Sequence, residues 1–242
     1  MKIALLIPGQ ARFINTNWDN IQSQLLEVDN VDVFCHFWDT VDPRWDNDPY
    51  KALEFLQPSH YIIEKQLDFD DPNLFSTTNF TEIDSWKYRR ACSQFYSIWR
   101  VFSLMDTYSK LNGKIYDCVI KARTDIVLKN PFDPEEFASD PQALWFHNVI
   151  NAPEGILYDD ELVFGNPNLM SQYCNAYYSI PEAFRHYGRV CNASFWRYHI
   201  LLKRLDTNVK VSKTGRVDIV RNDWHTKRIE QMQRGEVPKE DE

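Results

Sequence analysis

The sequence predicts a single α/β domain in which helices flank a mostly parallel central sheet. Its first 38 residues read as strand, helix, strand, which implies a right-handed parallel crossover. Several short runs are rich in β-branched and aromatic residues, as buried parallel strands are. The 242 residues suffice for one large α/β domain, and the chain has no internal repeat or convincing linker.

Composition narrows the class of protein. Apolar residues make up 43% and charged residues 26%, which is ordinary for a globular protein. There are 27 Lys and Arg against 35 Asp and Glu, a formal net charge of −8. This balance argues against a nucleic-acid partner, whose binding depends on basic surface. No apolar run approaches the roughly 20 residues of a transmembrane segment.

Cysteine usage favours a reducing compartment. The five cysteines are odd in number and form no C-x-x-C motif. The N-terminal apolar run is too short for a secretory signal. We therefore expect a cytoplasmic protein with free thiols.

The N-terminal third supplies three predicted strands. Residues 3–7 form the first strand and residues 31–38 the second. Between them a helix is predicted from the apolar positions Ile14, Trp18, Ile21 and Leu25, with Asn15 or Thr16 as its N-cap. An Asp- and Pro-rich loop, a short helix and the third strand follow, at residues 39–49, 50–56 and 61–63.

The rest of the chain alternates helical and strand patterns. Residues 67–85 are polar and irregular, which is typical of segments that shape a substrate site. Residues 86–108 carry the longest helical pattern. The remaining predicted strands are 116–120, 143–147, 209–211 and 217–220, and the remaining helices are 167–180 and 193–205. Residues 126–128 turn apolar again, and residues 158–165 form an acidic segment that runs into a short apolar one. We expect a domain over residues 1–227 and a frayed, charged tail over residues 228–242.

A charged cluster directly follows the buried strand at residues 116–120. It contains Lys121, Arg123, Thr124 and Asp125, and such charges are costly unless they are paired or meet a ligand. Ligands of open α/β sheets bind outside the carboxyl ends of the strands. We therefore predict that Arg123 and Asp125 handle a charged substrate.

The chain lacks the common nucleotide-binding loops. It has no P-loop, and no G-x-G-x-x-G follows the first strand. Nor does it contain a G-x-S-x-G elbow or an H-E-x-x-H motif. A nucleotide diphosphate can still be bound by arginines and a divalent metal, which suits the cluster after residue 120.

Five short motifs together resemble a known family. They are PGQAR at 8–12, DVFCHFW at 32–38, a helix containing QFYS at 94–97, YDCVIKARTDIVL at 116–128 and DDELVFGN at 159–166. This pattern, over residues 2–222, resembles the nucleotide-sugar-dependent glycosyltransferases of GT-A fold, particularly small bacterial, phage and viral members. The resemblance implies a GT-A-like, Rossmann-like domain.

The resemblance also implies an activity and its cofactor. Such enzymes move a sugar from a nucleotide-sugar donor to a glycan acceptor, usually with Mn²⁺ or Mg²⁺. Their D-x-D motif holds metal and ribose, but here the tripeptide is Arg123-Thr124-Asp125. Asp125 is the implied metal or ribose ligand, with His225 as a second metal ligand. Arg123 either contacts phosphate or pairs with Asp125.

Further site residues follow from the same comparison. Gly9, Gln10 and Arg12 are expected beside the nucleotide base and ribose. The helix face carrying Lys87, Arg90 and Gln94 is either donor-binding or merely solvated.

Asp159 and Asp160 are the acid–base candidates. An inverting transfer needs a carboxylate that accepts the proton of the acceptor hydroxyl, and Asp160 is preferred. The alternative is that these acids cap the strand that follows.

Two other functions remain open. A sugar nucleotidyltransferase shares the nucleotide-binding logic but should carry a glycine-rich basic loop after the first strand. A non-catalytic carbohydrate-binding module on the same fold would explain the missing first aspartate of D-x-D.

Overall fold

A computed structural model of the chain describes residues 1–41, 47–69, 82–153, 155–187, 192–213 and 217–219. The predicted charged tail, Cys191 and His225 therefore lie outside the described residues. Four cysteines are described, and all four are buried: Cys35, Cys92, Cys118 and Cys174.

The core of the fold is a seven-stranded sheet in the order β10-β6-β9-β4-β1-β2-β3. Its neighbours run parallel except at β9, which is antiparallel to both β4 and β6. The predicted mostly parallel sheet is thus confirmed. Its strands are β1 (Ile3–Gly9), β2 (Val31–Trp38), β3 (His60–Glu64), β4 (Cys118–Ala122), β6 (Leu144–Phe146), β9 (Leu162–Gly165) and β10 (Val209–Val211).

Two small antiparallel sheets accompany the central one. One pairs β5 (Ile126–Leu128) with β11 (Val217–Ile219). The other is a hairpin of β7 (Val149–Ala152) and β8 (Gly155–Tyr158). This hairpin lies in the chain between β6 and β9.

Helices cover both faces of the sheet. Along β1, Ala4 and Leu6 join the core that includes the long helix, whereas Ile3, Leu5 and Ile7 join the core on the opposite face. Burial on both faces explains why β1 is a continuous apolar run. The helices are α1 (Ile14–Ile21), α2 (Pro49–Leu56), α3 (Glu82–Asn112), α4 (Pro134–Ser139), α5 (Pro167–Cys174), α6 (Ile180–Tyr187) and α7 (Asn192–Leu202). Among the described helices, none combines the length and apolarity needed to cross a bilayer.

The start of α1 differs from the prediction. The helix begins at Ile14, after Phe13 in the left-handed region with φ 54°, and no side chain caps it. The carbonyl of Phe13 accepts hydrogen bonds from the backbone of Thr16 and Asn17 instead. The predicted cap at Asn15 or Thr16 is therefore wrong, because both residues lie inside the first turn. A π-helical turn, Gln22–Leu26, extends the helix.

The bounds of two other elements differ from the prediction. β4 extends two residues beyond the predicted strand, so Lys121 lies inside it and is only 1% exposed. The single helix predicted over residues 167–180 is instead α5 followed by a 3₁₀ turn, Asn175–Ser179, with α6 beginning at Ile180.

Candidate active site

A cavity of about 320 Å³ opens at the edge where the parallel strands β1 and β4 end. The amino-terminal half of α3 and the loop after β3 form its other walls. Its lining residues come from five segments: Pro8, Gly9, Gln10, Arg12, Trp38, Gln66, Leu67, Phe69, Arg89, Arg90, Ser93, Gln94, Ile98, Lys121, Arg123 and Asp125. We call this cavity the edge pocket. It includes seven of the ten residues that the sequence singled out as catalytic or cofactor-binding.

The loop after β1 forms one wall of the edge pocket. Gly9 has a φ of +101°, which side chains strongly disfavour, while a Cβ built there would meet nothing within 4 Å. Glycine is therefore required by the backbone turn and not by crowding. Beyond it, Arg12 Nε donates to Gln10 Oε1 at 2.7 Å.

Arg123 and Asp125 form a bidentate ion pair at the end of β4. Arg123 Nε donates to Asp125 Oδ1 at 2.7 Å, and Nη2 donates to Oδ2. Burial raises the pKa of Asp125, but the adjacent guanidinium outweighs burial and lowers the pKa overall. The ion pair that the sequence left open is thus present, and both carboxylate oxygens of Asp125 are engaged.

Exposure within this pair is unequal. The side chain of Arg123 is 28% exposed and that of Asp125 only 5%. Burial and the pair hold the planar guanidinium in one orientation while part of it still faces the edge pocket. That arrangement suits a phosphate oxygen as the next partner of Arg123.

Hydrogen bonds from α1 hold the loop that carries this ion pair. The buried amide of Asn17 donates to the carbonyls of Thr124, at 2.9 Å, and of Ile126. One turn later, Asn20 exchanges two hydrogen bonds with the backbone of Leu128. The apolar stripe predicted α1, but these polar contacts explain why the loop keeps its shape.

Helix α3 contributes the opposite wall. Arg89, Arg90, Ser93 and Gln94 line the edge pocket, so the helix face that carries Arg90 and Gln94 does point into the cavity. Lys87 belongs to α3, but its side chain lies outside the described residues. Arg89 was missed because it falls between the positions of the predicted polar stripe.

The edge pocket carries a concentration of positive charge. Five cationic side chains line it, although the whole chain has a net charge of −8: Arg12, Arg89, Arg90, Lys121 and Arg123. Arg123 pairs with Asp125, and Lys121 pairs with Asp160. Such a cavity favours an anionic ligand.

Asp160 lies at the border of the edge pocket. Its Oδ2 accepts a hydrogen bond from Gln94 Nε2 and lies 3.4 Å from Lys121 Nζ. Lys121 also donates to the backbone carbonyl of Asp160. Two pocket residues from α3 and β4 thus hold this carboxylate in place.

Asp159 does not share the contacts of Asp160 and instead lies beside His147. Its Oδ2 lies 3.5 Å from His147 Nε2, and Glu161 Oε2 lies 3.2 Å from the same nitrogen. Burial lowers the pKa of His147, but hydrogen bonds to the two carboxylates outweigh burial and raise the pKa to about 9. We call His147, Asp159 and Glu161 the histidine–acid cluster.

The reversed direction of β9 explains why this cluster forms. Its first residue, Leu162, pairs with Ala122, the last residue of β4. On the other side, the backbone amide of His147 donates to the Leu162 carbonyl at 3.2 Å. The three acids before β9 therefore meet the residues that follow β4 and β6.

The sequence missed His147 and Glu161, although both carried a signal. His147 ends a predicted strand, and Glu161 extends the acidic run. The direction of β9 was needed to bring them together.

The residues support a divalent cation better in this cluster than at Asp125. One ligand atom from each cluster residue lies within 4.8 Å of the others. An imidazole nitrogen and two carboxylate oxygens are common metal ligands. At Asp125, by contrast, a cation would have to displace Arg123.

The residues at the pocket mouth are partly apolar. Trp38 ends β2, and Leu67 and Phe69 belong to the irregular segment predicted to shape a substrate site. Residues 70–81 of that segment lie outside the described residues. Phe69 packs against Trp38 and Tyr96, at ring-centroid distances of 6.2 and 5.8 Å.

Sheet order, the single reversed strand and the edge pocket define the class of fold. It is the GT-A fold, as the sequence motifs indicated. A scan of the sequence against protein-family models finds no match, and neither does a search of curated proteins.

Solved structures supply the particular comparisons. The chain is similar to the mannosyltransferase Ktr4p from S. cerevisiae, with a TM-score of 0.52 and 7% identity over 90% of this chain and 70% of that chain. The structure of Ktr4p in complex with GDP has a TM-score of 0.51 and 9% identity, over the same shares of the two chains. The apo form of mouse xyloside xylosyltransferase 1 has a TM-score of 0.46 and 10% identity, over 87% of this chain and 84% of that chain. At these identities the Ktr4p structures show a shared fold and nothing finer.

Proposed function

We propose that this protein is a glycosyltransferase that moves a sugar from a nucleotide diphosphate sugar to a hydroxyl of a glycan acceptor. The observation that carries this proposal is the edge pocket, a cationic cavity at the carboxyl edge of a GT-A sheet. A mannosyltransferase of the same fold has been solved in complex with GDP, which supports a nucleoside diphosphate as the ligand here.

Arginine side chains replace a glycine-rich loop in this proposal. A diphosphate needs several donors, and guanidinium groups provide charge-assisted, bidentate hydrogen bonds. Arg123 is held by Asp125 and faces the edge pocket from β4, while Arg89 and Arg90 face it from α3. The diphosphate then lies between these two walls. Gln10 and Arg12, after β1, are the proposed contacts to the base and ribose, and both line the edge pocket.

Asp160 is the proposed general base. During transfer the acceptor oxygen bonds to the anomeric carbon, the bond from that carbon to the donor phosphate breaks, and the nucleoside diphosphate leaves. The acceptor hydroxyl gives its proton to the Asp160 carboxylate. Gln94 and Lys121 contact the Asp160 carboxylate and hold it in position. A fixed carboxylate at the border of the edge pocket supports the role of general base.

A donor panel tests the proposal directly. The purified protein is incubated with UDP-, GDP- and dTDP-sugars, with and without Mn²⁺, and donor cleavage and thermal stability are measured. At least one donor should be cleaved and should raise the melting temperature. Release of pyrophosphate would instead establish a nucleotidyltransferase. Glycan binding without donor cleavage would establish a binding module, and both results overturn the proposal.

Two variants separate the proposed roles. Arg123→Gln should weaken donor binding at least tenfold, because the charged partner of the phosphate is lost, and Asp125→Asn should do the same by releasing Arg123. Asp160→Asn should leave donor affinity within about threefold and abolish transfer. Arg185→Gln, which changes an exposed arginine on α6, serves as the matched control. Full transfer by Asp160→Asn would remove the base assignment.

A further inference from the structure

We infer that this protein binds its divalent cation at the histidine–acid cluster and not at the Arg123-Thr124-Asp125 tripeptide. The cation's part in sugar transfer rests on the proposed function, whereas the binding site itself does not. The ligands are His147 Nε2, one oxygen of Asp159 and one oxygen of Glu161.

The spacing of the three ligand atoms fits a single ion. Nε2 of His147 lies 3.2 Å from Glu161 Oε2 and 3.5 Å from Asp159 Oδ2. Adjacent ligands of an octahedral ion at about 2.1 Å are roughly 3 Å apart. The cluster therefore needs only small side-chain shifts to surround a cation, with its other positions left to water or phosphate oxygens.

His147 is oriented as a metal ligand would be. Its Nδ1 lies 3.4 Å from both the carbonyl oxygen and the amide nitrogen of Leu162, and its Nε2 is directed at the two carboxylates. Histidine ligands usually engage their second nitrogen in this way, with a backbone carbonyl as one of the common partners. Leu162 is not part of the cluster, so this contact is independent of the acids. His147 and Glu161 are each only 8% exposed, which limits the entropy lost when they bind an ion.

The tripeptide is a poorer site for a cation. Both oxygens of Asp125 accept hydrogen bonds from Arg123, and the Asp125 side chain is 5% exposed. A cation there would have to break a bidentate pair and lie beside a guanidinium, which repels it.

The position of the cluster suits a role beside the donor. Asp159 and Glu161 flank Asp160, which borders the edge pocket, and Asp159 lies within electrostatic range of Lys121 and Arg123. If His147, Asp159 and Glu161 held a cation there, it would supply positive charge near the oxygens of a departing diphosphate.

Isothermal titration of the donor-free protein with Mn²⁺ tests the inference. One ion should bind per chain, and His147→Gln and Glu161→Gln should each weaken binding at least tenfold. Arg123→Gln should bind Mn²⁺ as the wild type does, since Arg123 contributes no ligand. Asp140→Asn is the matched control, because it removes a carboxylate paired with Lys210 away from the cluster. Circular dichroism melts identify any variant that fails to fold. If one of the two cluster variants does not fold, the Mn²⁺ affinity of the other tests the inference.

Three outcomes would overturn the inference. They are wild-type Mn²⁺ affinity in both cluster variants, loss of Mn²⁺ binding in Asp125→Asn alone, and no Mn²⁺ binding by the wild type. Because no donor is present, a protein that turns over no nucleotide sugar can still pass this test.

Discussion

At the scale of single residues, the molecule keeps one anionic side chain buried by pairing it with its near neighbour. Arg123 and Asp125 are two positions apart in the chain and satisfy each other with two parallel hydrogen bonds. The pair holds a guanidinium at a fixed angle to the edge pocket. Charge at this position is therefore positive toward the ligand, where a D-x-D sequence would present carboxylates.

Asn17 is the residue whose loss should loosen that loop. It is 3% exposed and donates to the carbonyls of Thr124 and Ile126. Asn17→Ala removes both donors and should lower the free energy of unfolding by about 1–3 kcal/mol. Urea denaturation measures the change. Asn112→Ala, which removes an exposed contact at the end of α3, should cost less than about 0.5 kcal/mol, and equal losses would contradict the role of Asn17.

His199 should make stability depend on pH. Its ring is fully buried between Ser179 and the Gln172 carbonyl, and burial lowers the pKa to about 4 from 6.5. The unfolded chain binds more protons between these values, so stability is fully present above pH 6.5 and is lost as the pH falls toward 4. The loss should approach about 3 kcal/mol.

The non-titrating variant His199→Gln isolates this effect. The gap in unfolding free energy between wild type and variant should shrink as the pH falls from 6.5 to 4. Urea titrations at several pH values measure it. A gap that stays constant across this range would exclude His199 as the source.

The sequence identified those pocket-lining charges that lie in one continuous stretch of the chain. Lys121, Arg123 and Asp125 follow a buried strand, and the cost of burying charge marks them without further information. His147 is separated from Asp159 by the β7–β8 hairpin, and no local pattern links them. Spatial pairing of that kind requires knowledge of the direction of β9.

At the scale of elements, α3 links the site to the core. Its amino-terminal half lines the edge pocket, and its opposite side packs on α5 and α7 through stacked rings. Trp196 lies 4.4 Å from Phe95 and 4.2 Å from Tyr173, measured between ring centroids, with interplanar angles of 25° and 9°. These three rings join three helices on one face of the sheet.

Trp196→Ala should therefore be among the most damaging core substitutions. The side chain is fully buried, and its removal should cost about 3–5 kcal/mol, read from a denaturation curve. Trp196→Phe should cost less, because the Trp196 Nε1 has no hydrogen-bond partner among the described residues. Trp18→Ala, in the partly exposed α1 position, is the control, and a loss as large there would argue against a special role for the stack.

Element boundaries were harder to predict than element types. The first helix was expected from its apolar spacing, but its start depends on Phe13 adopting a left-handed backbone. Phenylalanine rarely does so, and sequence gave no indication of it. Similarly, the pattern over residues 167–180 could not reveal the 3₁₀ turn that separates α5 from α6.

At the scale of the whole molecule, the fold class followed from the continuous apolar strands and the strand–helix–strand start. Those features reflect burial on both faces, which only a covered sheet provides. The single reversed strand was not predicted, because the apolar run of β9 reads the same in either direction. The position of the cationic edge could be expected, since parallel strands present their carboxyl ends together.

Nucleotide binding should stabilise the entire domain. A nucleoside diphosphate that binds only the folded protein raises the free energy of unfolding by about 2.7 kcal/mol at 100 times its Kd. For a chain of this size that corresponds to a rise in Tm of several degrees, measured by differential scanning fluorimetry with UDP, GDP and dTDP. Arg123→Gln should lose the shift at equal concentration, and an unchanged shift would show that the diphosphate lies elsewhere.

Because β9 is reversed, the cationic residues and the acidic residues at the cleft come from different parts of the chain. Cationic residues come from β1, β4 and α3, whereas the acids and His147 are joined to the sheet through one excursion, the β7–β8 hairpin. Any exchange of this hairpin has to keep Tyr158, which is buried in the core against Phe146. A graft confined to residues 150–157 would therefore vary the middle of the excursion while both of its ends stay anchored.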